Sequence, residues 1–95
     1  MNITEIRVSL RDDDKLKAFV CITLDNCFVV RGIKVIRGGK GEFVAMPSRR
    51  KPEGGYQDLC HPIDQDTRQW MENLILGKYH EEIGRGVFVE AGHAP

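Results

Sequence analysis

The sequence predicts an α+β fold, an antiparallel β-sheet meander followed by one long C-terminal α-helix. Two observations carry this expectation. Through the first two-thirds of the chain, apolar and β-branched residues recur with the period of a strand, interrupted by short Asp-Asn and Gly-rich breaks. In the last third the apolar residues take helical spacing, directly after acidic residues suited to cap a helix.

Each element follows in order. Thr4, Ile6, Val8 and Leu10 alternate with Glu5, Arg7 and Ser9, the pattern of a half-buried strand, and Arg11-Asp12-Asp13-Asp14-Lys15 reads as a polar turn. Leu16 to Leu24 is β-branched and apolar, and after Asp25-Asn26 the chain resumes at Cys27-Phe28-Val29-Val30 and continues to Ile36. Asp and Asn tolerate left-handed backbone angles, so a tight hairpin is expected here. Gly38-Gly39-Lys40-Gly41 marks a second hairpin, whose return strand Glu42-Phe43-Val44-Ala45-Met46 is stopped by Pro47, which has no N–H for a ladder. Residues 48–57, with Pro52 and Gly54-Gly55, read as an irregular, basic, exposed loop, and Tyr56 to Cys60 as one more short strand. Asp64 and Asp66-Thr67 offer N-caps for a helix over about residues 65–82, with Met71, Leu74, Ile75 and Tyr79 on one face. Gly84, Arg85 and Gly86 are expected to end it. A single domain over residues 1–83 and a weakly ordered tail over 84–95 result.

Composition narrows the function classes. A chain of 95 residues buries only about 60–65% of its unfolded surface, so its core is thin and pairing of subunits would help it. With 41% hydrophobic and 29% charged residues it belongs with folded globular proteins and not with disordered ones. No run approaches the roughly 20 apolar residues that span a bilayer, and Met1-Asn2-Ile3-Thr4-Glu5-Ile6-Arg7 lacks the apolar stretch of a signal peptide, so a cytoplasmic location is expected. Cys21, Cys27 and Cys60 are odd in number and form no Cys-x-x-Cys pair; all three read as small, partly buried apolar residues.

The net charge is zero, yet the charge is unevenly distributed. Arg31, Lys34, Arg37, Lys40, Arg49, Arg50 and Lys51, half of the chain's 14 basic residues, fall in one short block with Glu42 as its single acid. Such a block can neutralise phosphates and release counterions, which supplies affinity for nucleic acid without regard to sequence. Composition alone leaves this reading level with a solvated basic loop. Arg68, Gln69, Asn73 and Lys78 on the outer helix face are further polar candidates, and Trp70 reads more readily as packing than as a base-stacking residue.

Catalytic readings fail individually. Gly38-Gly39-Lys40-Gly41 lacks the spacing of a phosphate-gripping loop and the Ser or Thr after its Lys. Cys60-His61 has no second ligand pair at close spacing, and neighbours on a strand point to opposite faces. Asp12-Asp13-Asp14 is a turn, while Asp64 and Asp66 have capping as a sufficient role. His80 and His93 read as solvated. No cofactor and no catalytic role are therefore expected.

Four stretches carry a resemblance: Ile22-Thr23-Leu24-Asp25, Phe28-Val29-Val30, Phe43-Val44-Ala45-Met46-Pro47-Ser48-Arg49-Arg50, and His61-Pro62-Ile63 with Thr67-Arg68. In order and spacing they are similar to the stage V sporulation protein G (SpoVG) family, over about residues 2–82. The resemblance implies a compact α+β subunit that pairs as a homodimer through its sheet. It also implies a bacterial regulator linked to sporulation and septation that binds DNA and, in some members, RNA. The basic pair after Met-Pro-Ser, here Arg49 and Arg50, is the part the resemblance assigns to nucleic acid; Lys51, Arg31, Lys34, Arg37, Lys40 and Arg68 are added from the charge pattern. Relatives commonly have His-Asp where this chain has Arg31-Gly32, and an acid where it has Arg37, so its second hairpin is the more basic. Gln69, Trp70, Leu74 and Gly77 depart from the usual helix. A protein-interaction adaptor using the sheet edge or helix is the rival expectation.

Overall fold

The computed structural model describes residues 1–85. They form β1 (Ile3–Leu10), β2 (Leu16–Leu24), β3 (Phe28–Gly38), β4 (Gly41–Ala45), β5 (Ser48–Arg50), β6 (Tyr56–Asp58) and α1 (Gln65–Arg85). The first four strands make one antiparallel sheet in the order β1-β2-β3-β4, and β5 pairs with β6 as a separate ribbon. The α+β meander with a C-terminal helix is thus the observed fold.

The turns follow from their residues. Asp25 and Asn26 hold φ of 49° and 56°, and the Cys27 N–H donates to the Leu24 carbonyl at 3.0 Å, a tight turn of the kind these side chains tolerate within the three-residue connection between the paired Leu24 and Phe28. The Asn26 N–H also donates to Thr4 Oγ1, which ties the turn to β1. In the first turn one carboxylate oxygen of Asp13 accepts the N–H groups of Leu16 and Lys15, and these bonds hold its carboxyl below the usual range. At the second hairpin Gly38 pairs with Gly41, whose φ of 116° is open to glycine and to few other residues.

Register then sorts side chains between two faces. Leu10, Ala18, Val35 and Val44 lie opposite one another across all four strands. Val20 and Ile33 make a second buried row, and α1 closes this face with Met71, Ile75 and Tyr79. The helix reaches both edge strands, β1 and β4. It starts where Asp64 accepts the Thr67 N–H at 2.7 Å and the Thr67 hydroxyl at 3.0 Å, so Asp64, of the two acidic candidates, is the cap.

Several expectations need correction. Residues 48–57 are not irregular throughout, because Ser48, Arg49 and Arg50 pair with Asp58, Gln57 and Tyr56. Both faces of this ribbon are exposed, so no apolar alternation marks it in the sequence. Leu74 is 41% exposed; one residue before Ile75, it turns about 100° out of a stripe only as wide as the i, i+4 series Met71-Ile75-Tyr79. Cys21 is half-buried as expected, but Cys27 ends a turn and Cys60 follows β6, and both are exposed. Trp70, read as a packing residue, is 38% exposed and stands outside the buried set. Gly84 lies within the helix, whose last turn carries an Arg85–Glu82 ion pair, so α1 continues past residue 82 to Arg85. The remainder of the expected tail, with His93, lies outside the described residues.

Ile75 is fully buried beneath the sheet. Ile75→Ala is expected to lower unfolding free energy by roughly 2–5 kcal/mol, read from the midpoint of urea unfolding, because little around it can collapse into the space.

Candidate nucleic-acid interface

A run of basic residues in sequence becomes several separate placements in space. Arg31, Lys34 and Arg37 lie on β3, Lys40 at the tip of the β3–β4 turn, Arg49 and Arg50 on β5, Lys51 at the start of the β5–β6 loop, and Arg68 in the first turns of α1. Alternation then divides them. Lys34, in register with Phe19 and Ala45, lies on the face away from the helix. Arg37, in register with Glu42, lies on the helix side, where both border a depression with Tyr79. Arg49 and Arg50, neighbours on a strand, point to opposite faces of their ribbon.

One group does assemble. Lys34 from β3, Ser48 from β5, Tyr56 and Asp58 from β6 and Arg68 from α1 line a single depression along the outer side of β4. Arg50 is the register partner of Tyr56 and shares that side of the ribbon. Four elements thus line it with two cations, an exposed tyrosine and Asp58 as the acid among them, and Arg50 adds a third cation beside Tyr56. Arg31 belongs to a different depression, shared with Arg7, Ser9, Phe19 and Cys21. Arg7, Tyr56, Phe19 and Phe43 do not stand out in the sequence as site residues; the signal that finds them is strand alternation, and not local charge density.

The electrostatics keep the group available. Among the described residues, Arg31, Lys34, Arg37, Lys40, Arg49, Arg50, Lys51 and Arg68 form no ion pair within 4.0 Å, whereas Lys78 pairs with Glu81 and Glu82, and Arg7 with Glu5. Of the other helix candidates, Gln69 donates to Asn73 at 2.9 Å. Glu42, the one acid within the basic block, is occupied. It accepts from the Tyr79 hydroxyl at 3.1 Å and from His80 Nε2 at 3.0 Å. The His80 bond is the main cause that holds its carboxyl below the ordinary value, and burial, with the Glu42 bond, pushes the Tyr79 hydroxyl up to about 12.

A further concavity, about 230 Å³ and almost wholly apolar, opens between the β2–β3 turn and the start of α1. Cys60 and His61 border it, but the His61 Nδ1–H is donated to the Pro62 carbonyl at 2.8 Å. Among the described residues no three His, Cys, Asp or Glu side chains converge as a metal site, and no helix is long and apolar enough to cross a membrane.

The family model described as SpoVG matches residues 1–81, which span every strand and most of α1. The chain belongs to the SpoVG family. It is 48% identical over 91 residues to a protein of Anaeromyxobacter dehalogenans named "Putative septation protein SpoVG", covering 96% of this chain and 90% of that one. A protein of the same name from Myxococcus xanthus is 51% identical over 83 residues, covering 87% of this chain and 84% of its own. One from Caldicellulosiruptor bescii is 44% identical over 87 residues, covering 90% and 99%. The SpoVG match therefore includes all the elements that build the Lys34–Arg50–Arg68 group.

Glu42 joins β4 to α1, and its depressed carboxyl gives this link a pH window. A group whose folded value lies below its ordinary 4.5 stabilises fully above that value and loses its contribution as pH falls through the folded one. Glu42→Gln is expected to cost about 1 kcal/mol at pH 7. The deficit should shrink below about pH 4, measured as paired urea titrations across pH.

Proposed function

We propose that this SpoVG-family chain is a nucleic-acid-binding regulator of gene expression in septation or sporulation control, acting without catalysis or cofactor in the cytoplasm. The septation part rests on the names its relatives carry. The binding part rests on one observation: Lys34 and Arg68, from two different elements, line one depression, Arg50 stands beside its Tyr56 on the same ribbon face, and among the described residues none of the three forms an ion pair. Cations held together on rigid elements and not neutralised by carboxylates are what a phosphate backbone requires. DNA is the proposed ligand, with RNA as a second. Arg49, Lys51, Arg31, Arg37 and Lys40 add to the field around the group and make fewer contacts of their own.

The proposal includes a homodimer through the sheet. Edge strand β4 is partly closed, because the Val44 N–H donates to Glu72 Oε2 at 3.1 Å. Among the described residues β1 pairs on one side alone, which leaves its outer edge without a strand partner over Ile3–Leu10. Antiparallel pairing of two β1 edges about a twofold axis normal to the sheet would give a continuous sheet with both depressions on related sides.

A protein-interaction adaptor is the second reading, and a specific observation favours it. Ile63 is 92% exposed, Leu59 is exposed as well, and the exposed Phe28 lines the apolar concavity. A partner captured from lysate that stays bound after nuclease treatment and at high salt would replace the first reading with this one.

Binding to short duplex DNA and to single-stranded RNA, measured across a salt series, tests the leading proposal. Arg50→Ala and Arg68→Ala are each expected to weaken binding to every sequence and to reduce the slope of log K against log salt by roughly one unit. Arg49→Ala, on the opposite face of the ribbon, should change the slope less. Equal slopes for all three and the parent protein would remove the depression from the interface.

A further inference from the structure

Among the described residues, the meander has a helix on one face and no element on the other. Across that open face the register sets Ser9, Phe19, Lys34 and Ala45 in one row, with Ile36 opposite Phe43 beside it. The Phe43 ring is 44% exposed and lies against the bare backbone of Gly38, where an added Cβ would stand 3.1 Å from ring atom Cε1. Glycine thus lets this ring lie down on the sheet. Phe19, on β2, carries the Arg11 guanidinium 5.1 Å from its ring centroid. One strand, β3, lies between the rings, so two strand spacings of about 5 Å each part them across the sheet and each can meet a different base. Arg7, Arg31 and Lys34 share the face, and Glu5 is the acid that accompanies them, paired to Arg7 at 3.0 Å.

We propose that this open sheet face is a stacking platform for single-stranded RNA, with Phe43 and Phe19 under two bases and Lys34, Arg31 and Arg7 on the phosphates. The inference rests on the nucleic-acid reading above and adds to it a site, a strand state and a mode of contact. Aromatic rings interleaved with cations on a sheet suit unstacked bases on a charged backbone; in a duplex the base faces are not accessible to such rings. A second copy packed face to face would instead bring Lys34, Arg31 and Arg7 toward their own counterparts and repel. Ser9 and Thr23 lie on the same face and offer hydroxyls to the ribose 2′-OH, which favours RNA over DNA. The Lys34 side chain also borders the Arg50–Arg68 depression, so one strand can pass from the platform to that group.

The test uses the whole chain and a 12-nucleotide RNA of mixed sequence carrying 5-bromouridine, with DNA of the same sequence, single-stranded and duplex, as further arms. Irradiation is expected to link the RNA to peptides containing Phe43 or Phe19. In anisotropy titrations Phe43→Leu should weaken RNA binding about tenfold or more while leaving duplex binding and the salt slope unchanged, and Phe43→Tyr should restore it. Thermal melting checks that the Leu variant is folded; the crosslink in the parent protein stands whether or not it is. Crosslinks confined to β5, β6 and α1, with RNA affinity intact in Phe43→Leu, would overturn the platform and leave the nucleic-acid reading standing. A parent protein that binds no RNA or DNA at low salt overturns both. A change of oligomeric state in Phe43→Leu, without crosslinks at β2 or β4, assigns the face to a second copy and also overturns the proposal.

Discussion

Everything else in this molecule depends on one packing contact, that of α1 against the row Leu10, Ala18, Val35 and Val44. A four-stranded sheet this small cannot bury both faces with one helix. Ile75 and Met71 supply the apolar surface, Tyr79 adds a ring whose hydroxyl must find a partner when buried, and Glu42 provides it. The same carboxylate receives His80, so the point where the helix is fastened to β4 is also where the one acid of the basic block is engaged. Stability and surface charge therefore meet at a single residue.

The fold was largely legible in the residues because turn chemistry and alternation agree. Asp25-Asn26 and the Gly38–Gly41 segment occupy the backbone angles their side chains, or lack of them, permit, and the strands between them have one apolar face each. The β5–β6 ribbon was not legible as a pair of strands. Arg49-Arg50 and Tyr56-Gln57 bury nothing on either side, so no periodicity distinguishes them from a loop. Leu74 shows a related difficulty: an apolar residue at plausible helical spacing still falls outside a contact stripe defined by the flatness of the sheet beneath it.

The candidate site was legible as a charge and not as a shape. Seven cations close in sequence look like one patch, yet a strand sends neighbours to opposite faces, and Arg49 and Arg50 are parted by that rule alone. Arg68, distant in sequence, joins Lys34 because the helix begins beside the outer edge of β4. Such a meeting depends on how three elements dock, and local pattern carries no trace of it. The aromatic residues of the open face were hidden for a different reason: Phe19 and Phe43 sit in apolar runs and look like core until the register shows which side they take.

Covering only one side of the sheet has a consequence for how this scaffold can change over time. Residues that hold the fold and residues that meet the surroundings alternate along the same strands, one position apart, and scarcely touch each other. Ser9, Arg31 or Lys34 can be exchanged with little effect on folding, while Leu10, Ile33 or Val35 can drift only among shapes the helix accepts. A protein with this division can acquire new binding preferences through single substitutions, without first having to become more stable.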